Sequence, residues 1–374
     1  MKIVIDATTL LLRSAGVKNY LHYWLLSLMA SAPQVGDTIA TYPFAVDIAA
    51  LPDHERPSPG RLGTFARLLQ VRLGNIAGSP LLEVTLLGAD LFHSSQHTAR
   101  LPRRKKSTAT IFDFSCWTTP EHHTPENVAA TKHYADHILK ASDGLIAISA
   151  HAGEDAVAIL RIPRDRIRVI YPGVAEPFFC VTPTEACAVR KRLQLHAPYF
   201  LFVGCIEPRK NVPGLIRAYQ QLPETFRRDA QLVIAGPFGW ASESVRHLLM
   251  SSGNNVRYLG YVPEADLPGL IRGAIGLVYP SYYEGFGLPV AQAMAVGIPV
   301  IGSDRGSVPE VIGDGGLCVN PDSTDELSSA MQRIATDSEL SGSLAAEGKL
   351  RASRFRWEAC ASESNRFFHE IIGR

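Results

Sequence analysis

Short apolar runs rich in β-branched residues alternate with longer amphipathic stretches along nearly the whole chain, from "KIVID" at its start to "GLCVN" near residue 316. Strands of a parallel sheet covered by helices on both faces read as unbroken apolar runs, and the crossover helices supply the amphipathic stretches between them. The pattern predicts strands at 2–6, 39–44, 90–93, 108–112, 144–148 and 167–170, with helices near 18–30, 125–141 and 151–160. Further on it predicts strands at 199–204, 231–235, 256–259, 275–279, 298–302 and 316–319, again separated by helices. Each half is therefore expected to be a doubly wound α/β domain.

The stretch "YPGVAEPFFCVTPTE" has three prolines and no helical period, which makes it the expected linker. This divides the chain into domains 1–175 and 176–355, with the helical stretch 356–374 packing back on the first. Ligands of doubly wound sheets bind beyond the carboxyl ends of the strands, and two such domains facing each other make those ends the walls of one cleft. Chemistry is expected in the loops that follow strands.

Composition narrows this picture. The chain has 374 residues, more than one core usually serves, and is 46% hydrophobic and 20% charged with a formal net charge of +1. A balanced charge gives no reason to expect nucleic acid. The longest apolar stretch, "YLHYWLLSLMA", falls short of the roughly 20 residues that span a bilayer, and the chain starts at once on a strand. No signal peptide or transmembrane helix is expected. Six cysteines without CxxC spacing suit reduced thiols and a cytoplasmic protein.

Two loops carry the candidate chemistry. "YFLFVGCIEPRKNVPGLIRAY" runs from a strand through Gly204 into a loop with Glu207, Arg209 and Lys210, then into a helix that Asn211 can cap. Adjacent cations beside the positive end of a helix make an anion site, and a diphosphate suits it. Away from a strand end, the same pair reads as an ordinary solvated loop. In "PSYYEGFGLPVAQAMAVGIPV", Gly285 and Gly287 let backbone N–H groups approach a ligand, Pro289 starts a short helix at its first position, and Gly297 ends it. Glu284 stands just outside that helix. A carboxylate repels phosphate, so it is expected either to accept from sugar hydroxyls or to be a surface residue of a tight turn. The dinucleotide fingerprint GxGxxG and the P-loop are both missing.

The segments "LFVGCIEPRKN", "RIRVIYPGV" and "LGYVPEADLPGLIRGAIGLVYPSYYEGFGLPVAQAMAVGIPVIGSDRGSVPEVIGDGGLCVNPDS" resemble the signature segments of the retaining glycosyltransferases of family 4, which have the GT-B fold. The likeness is almost continuous over 199–330 and looser in the first half, through "IDATTLLLRSAGVKNY", "DLFHSSQ", "TIFDFS" and "AISAHAGEDA". It implies a nucleotide-sugar donor on the C-terminal domain and a saccharide or lipid-linked saccharide acceptor on the N-terminal one. By resemblance, Arg209 and Lys210 hold the donor diphosphate, and Glu284, the first Glu of an E-x7-E motif, contacts the donor sugar. Phe286, Gly287 and Leu288 lie against phosphates and sugar. Gly260, Tyr261 and Val262 line the base, Gly204 precedes the cationic loop, and Gly16 is the first-loop glycine near the diphosphate. Glu310 matches a recurrent family Glu, or caps a turn.

Two positions depart from the family. The second Glu of the motif, which meets the ribose, is Gln292 here, an acceptor without charge. Where the family often has His-Asp, this chain has Phe112-Asp113. Phe112 either belongs to the core or packs on a less polar sugar, and Asp113 either steadies the acceptor and the developing sugar cation or caps a turn. His97, His122 and His123 show no metal spacing and read as ordinary loop histidines; His93, directly after a strand, is kept as an acceptor-side candidate.

The expected activity is hexose transfer with retention, independent of metal and of any cofactor beyond the donor substrate, with GDP-mannose as the expected donor and surface polysaccharide as the setting. A nucleotide-sugar epimerase or hydrolase on the same fold, or a partner subunit with impaired catalysis, are the alternatives. Arg103, Arg104, Lys105 and Lys106 in "LPRRKKST", and Arg61, Arg67 and Arg72 in "RLGTFARLLQVRLGN", mark a face suited to peripheral contact with anionic lipid, or else a solvated surface.

Overall fold

The computed structural model describes residues 1–12, 16–44, 48, 61–76, 78–240, 243–253 and 255–373. The chain forms two compact units, one from 1–117, 125–173 and 356–374, the other from 118–124 and 174–355. Residues 118–124 thus group with the second unit, although they lie inside the stretch that the sequence reading gave to the first domain.

The first unit is built on β1 (Lys2–Asp6), β2 (Thr38–Tyr42), β3 (Leu91–Ser94), β4 (Lys106–Ile111), β5 (Gly144–Ala147) and β6 (Ile167–Val169). They pair in the order β2-β1-β3-β4-β5-β6, every pair parallel. β3 and β5 are buried at every position, as expected for strands covered on both sides. β2 stops at Tyr42, short of the predicted end, because Pro43 brings no N–H to the ladder.

The helix Trp357–Gly373 belongs to this unit and lies on the helix Gly16–Ser31. Trp24 Nε1 donates to Ser364 Oγ at 3.0 Å, and the Trp24 and Phe368 rings meet edge to face. A Cβ on Gly144 would press on the side-chain ends of Ile371 and Phe367, so glycine lets the helix pack here without those side chains shifting. Two expectations change here. The helix foreseen over 125–141 is Pro125–Tyr134 followed by a π turn at Ala135–Leu139, and the basic-apolar tract of 61–74 is itself a helix, Arg61–Gly74.

The second unit carries β7 (Tyr199–Val203), β8 (Gln231–Ala235), β9 (Val256–Gly260), β10 (Gly276–Tyr279), β11 (Val300–Ser303) and β12 (Leu317–Val319). Their order is β12-β11-β10-β7-β8-β9, all parallel. From β7 the chain moves outward through β8 and β9, then returns to the other side of β7 at β10. β7 and β10 therefore flank the point where the winding reverses, which is where doubly wound sheets bind their ligands. The loops that leave their carboxyl ends hold "CIEPRKN" and "PSYYEGFG".

Candidate active site

Beyond β7 a short 3-10 turn, Pro208–Lys210, places Arg209 and Lys210, and Asn211 ends it in a left-handed conformation. Asn211 then caps the helix Val212–Gln221, its side chain accepting from Gly214 N at 3.1 Å. One asparagine thus closes the cationic turn and opens the next helix. Lys210 is buried, which an ammonium tolerates only with partners. Its Nζ donates to Glu284 Oε1 and to Tyr279 Oη, both at 2.6 Å.

Arg209 converges on the same carboxylate oxygen, with Nη1 2.9 Å from Glu284 Oε1, and it also donates to the Tyr283 carbonyl at 2.9 Å. The loop bearing Glu284 is braced from behind. Ser307 donates to the Glu284 carbonyl through its N–H and its hydroxyl, at 3.2 and 2.9 Å. Burial by itself would raise the Glu284 carboxyl; the Arg209 and Lys210 charges and the Lys210 hydrogen bond overcome that and hold it at about 2. Burial, and next the Arg209 charge, lower the Lys210 ammonium, while Glu284 and Glu207 act the other way.

Glu284 therefore stands in a role that sequence reading did not give it: instead of lying apart from Arg209 and Lys210, it gathers both of them on one oxygen. Tyr279, the last residue of β10, is a member that sequence reading missed. The available signal was a tyrosine closing an apolar strand directly before the glycine-rich loop.

The other residues of this unit fall around the cluster in graded fashion. Gly287 adopts φ +89° and precedes the helix Leu288–Val296, which Gly297 ends in a left-handed conformation. Pro289 is the second residue of that helix, not the first. Phe286 is buried with its ring edge to face on Phe355, so its side chain is packing. Leu288 and Gln292 are half-buried on the same helix. Gly204, Gly236 and Gly260 form a seam across the ends of β7, β8 and β9. The Gly236 N–H donates to the Gly260 carbonyl at 2.7 Å, and a Cβ on Gly236 would strike the Gly204 carbonyl. Beyond this seam Tyr261 is half-buried and Val262 buried. Glu310 lies in the first turn of the helix Val308–Ile312.

The candidates in the first unit do not form a comparable cluster. Gly16 is exposed at the start of the helix Gly16–Ser31. His93 is corrected outright: it is wholly buried, its Nδ1 and Nε2 each 2.9 Å from a threonine hydroxyl, Thr108 and Thr110, between the Trp24 and Phe368 rings. Burial pushes its pKa down to about 3, so it is a neutral core histidine and not an acceptor contact. Phe112 is core as well, edge to face on Tyr20. Asp113 accepts from Ser115 N at 3.1 Å and Ser115 Oγ at 2.7 Å through one oxygen, which is the turn cap. Among the described residues no group of His, Cys, Asp and Glu is gathered as a metal site.

A parallel, doubly wound sheet that gathers charged side chains at its reversal point defines the class of α/β domains that bind ligands at a switch point, and the comparisons identify the family. Residues 188–351 match the family of Glycosyl transferases group 1. The chain is 34% identical to the O-antigen chain mannosyltransferase B of Escherichia coli over 268 residues, 71% of this chain and 70% of that protein. The chain belongs to the group 1 glycosyltransferases.

The serotype-specific mannosyltransferase WbdA of Escherichia coli is 30% identical over 224 residues, 58% of this chain but 27% of that longer protein. Among solved structures, Anabaena HepE in complex with UDP and glucose aligns with a TM-score of 0.73 at 18% identity, over 99% of this chain and 100% of that one. WaaG, a glycosyltransferase involved in lipopolysaccharide biosynthesis, aligns with a TM-score of 0.69 at 16% identity, over 97% of this chain and 98% of that one. The fold is GT-B.

Proposed function

We propose that this glycosyltransferase moves mannose from GDP-mannose to a hydroxyl of a saccharide or lipid-linked saccharide with retention of anomeric configuration, without a metal. The observation that carries the reading is the convergence of Arg209 and Lys210 at the reversal point of the second sheet. The relatedness to O-antigen mannosyltransferases supports the choice of sugar and setting.

Cleavage of the glycosyl-phosphate bond loads negative charge onto the departing diphosphate. Two preplaced cations, buried Lys210 and half-buried Arg209, and the amides that open the helix Leu288–Val296 stabilise that charge more in the transition state than in the ground state. Fixed cations such as Arg209 and Lys210 can take the part that a metal plays elsewhere. In the proposed retaining path, the acceptor attacks from the side the diphosphate leaves, and a donor phosphate oxygen takes its proton.

The test is incubation with GDP-mannose, UDP-glucose or dTDP-rhamnose and a mannose-containing acceptor, with and without EDTA, the product's anomeric configuration being read by NMR. EDTA-resistant transfer from GDP-mannose with retention is expected. Rapid donor consumption without acceptor signifies an epimerase or hydrolase, and absence of transfer from any donor signifies an impaired subunit; either outcome sinks the proposal.

We propose in addition that the protein works at the cytoplasmic face of an anionic membrane, touching it through the helix Arg61–Gly74. Among the described residues no helix is long and apolar enough to cross a bilayer. The outward face of Arg61–Gly74 nevertheless carries exposed Phe65, Leu69 and Leu73 beside exposed Arg72. Its buried Val71 shares a cluster with Leu101, which leads into exposed Arg103 and Arg104. The Arg61 side chain, also singled out in the sequence, lies outside the described residues. Sedimentation with anionic vesicles at low salt, reduced in Phe65→Ser/Leu69→Ser, is expected; no sedimentation removes this part of the reading.

A further inference from the structure

The cluster at the reversal point holds two cations and, counting Glu207, two carboxylates. With all four ionised it is neutral. A diphosphate arriving there meets resident carboxylates that already occupy the cations, so binding requires one carboxylate to give way. The two are not equivalent.

Glu284 accepts from Lys210 at 2.6 Å and pairs with Arg209 at 2.9 Å, the geometry of strong charge-assisted bonds. Glu207 faces Arg209 only loosely. Its Oε2 lies 3.4 Å from Arg209 Nη2, and that buried oxygen accepts no hydrogen bond among the described residues. The remaining groups that act on Glu207 are the Lys210 ammonium, the Glu284 carboxylate and the Cys205 thiol, the last through a hydrogen bond. From the loop after β8, Gly239 stands against it: a Cβ there would press on the Glu207 Cγ and on the Cys205 Sγ. Glu207 thus has little room to swing away.

A carboxylate that cannot leave an approaching anion can lose its charge instead, since desolvation and a like charge both favour the protonated form. Burial already raises the Glu207 carboxyl above its ordinary value, and Glu284 adds to that, against Arg209 and Lys210. Glu284, held at about 2, cannot take this part near neutral pH.

We infer that Glu207 takes up a proton when the diphosphate of a nucleotide sugar settles on Arg209 and Lys210, and so frees the Arg209 guanidinium for the phosphate. Glu207 is a positioning residue in this scheme: it acts on the donor through Arg209. The inference rests on the donor reading proposed above. One proton moves from solvent to Glu207 on binding and returns on release, and no bond of the donor is involved.

The experiment is titration calorimetry with GDP-mannose and with UDP-glucose, whose diphosphates have no proton to gain or lose near neutral pH, in buffers of different ionisation enthalpy at pH 7.5. In the wild-type protein the observed enthalpy should change with buffer enthalpy at a slope approaching one proton taken up. The affinity should weaken, by up to tenfold per pH unit, as pH rises toward 8.5. In Glu207→Gln the slope should fall to zero and the affinity at pH 8.5 should match that of the wild type at lower pH. A zero slope in the wild type with binding intact overturns the role of Glu207 and leaves the donor reading standing. A slope that persists in Glu207→Gln assigns the proton elsewhere and also overturns it. Binding of neither nucleotide sugar by the wild type overturns the donor reading and this inference together. The wild-type slope and pH dependence decide the matter even if the variant fails to fold.

Discussion

His93 and Glu284 both lie in buried polar clusters at a sheet where its winding reverses, β1/β3 in the first unit and β7/β10 in the second. Their surroundings differ in kind. His93 is neutral, and two threonine hydroxyls from β4 satisfy both of its ring nitrogens. Glu284 is charged, and two cations share one of its oxygens while a second carboxylate competes for Arg209. The first cluster is closed on itself and specifies packing. The second holds opposite charges that share partners, an arrangement that shifts titration as buried ionic clusters do.

The contrast is broken most forcefully at Glu284. Glu284→Ala leaves buried Lys210 and half-buried Arg209 without their shared carboxylate, and a loss of about 3–5 kcal/mol of stability is expected by chemical denaturation. Added pyrophosphate should restore more stability to this variant than it adds to the wild type. The pH dependence has the matching sign. With the folded carboxyl at about 2 against an ordinary 4.5, the contribution of Glu284 is complete above pH 4.5 and lost as pH falls toward 2.

Arg209→Ala tests function more than stability. Transfer at saturating donor should fall by about 100–1000-fold, equivalent to roughly 2.7–4 kcal/mol, with the circular dichroism spectrum unchanged; unaltered turnover refutes the assignment of the diphosphate to this cluster.

His93 sharpens the other side. Its folded pKa of about 3 lies below the ordinary 6.5, so between those values the unfolded chain binds the extra proton and stability falls as pH falls. The wild type should lose about 1.4 kcal/mol per pH unit across that window relative to His93→Gln, measured by urea denaturation at successive pH values. Transfer at pH 7.5 should be retained in the folded variant.

The smallest effect is expected at Asp113. Asp113→Ala removes a turn cap and should cost about 1 kcal/mol. A catalytic role would instead show as a large fall in kcat with stability preserved.

These residues also show what could be read from sequence. The inner strands β3, β5, β7 and β10 were legible because two-sided burial writes an apolar run, and the cationic loop was legible because it follows one of those runs directly. The partnership of Lys210, Glu284 and Tyr279 was not, since it joins loops distant in sequence through strand order. His93 misled for a related reason: a histidine at a strand's end looks the same whether it faces an opening or two threonines of the neighbouring strand. The helix Arg61–Gly74 escaped because Gly63 and interspersed arginines blur its period.

The docking of Trp357–Gly373 on Gly16–Ser31 bears on how the chain matures during translation. The first unit has its six strands by residue 169, yet Trp24 and the face beside His93 wait for Ser364 and Phe368. The unit begun first is therefore completed last, after the whole second sheet has left the ribosome. Until then an indole and its apolar neighbours remain uncovered, an early hazard for self-association that a contiguous domain would have escaped.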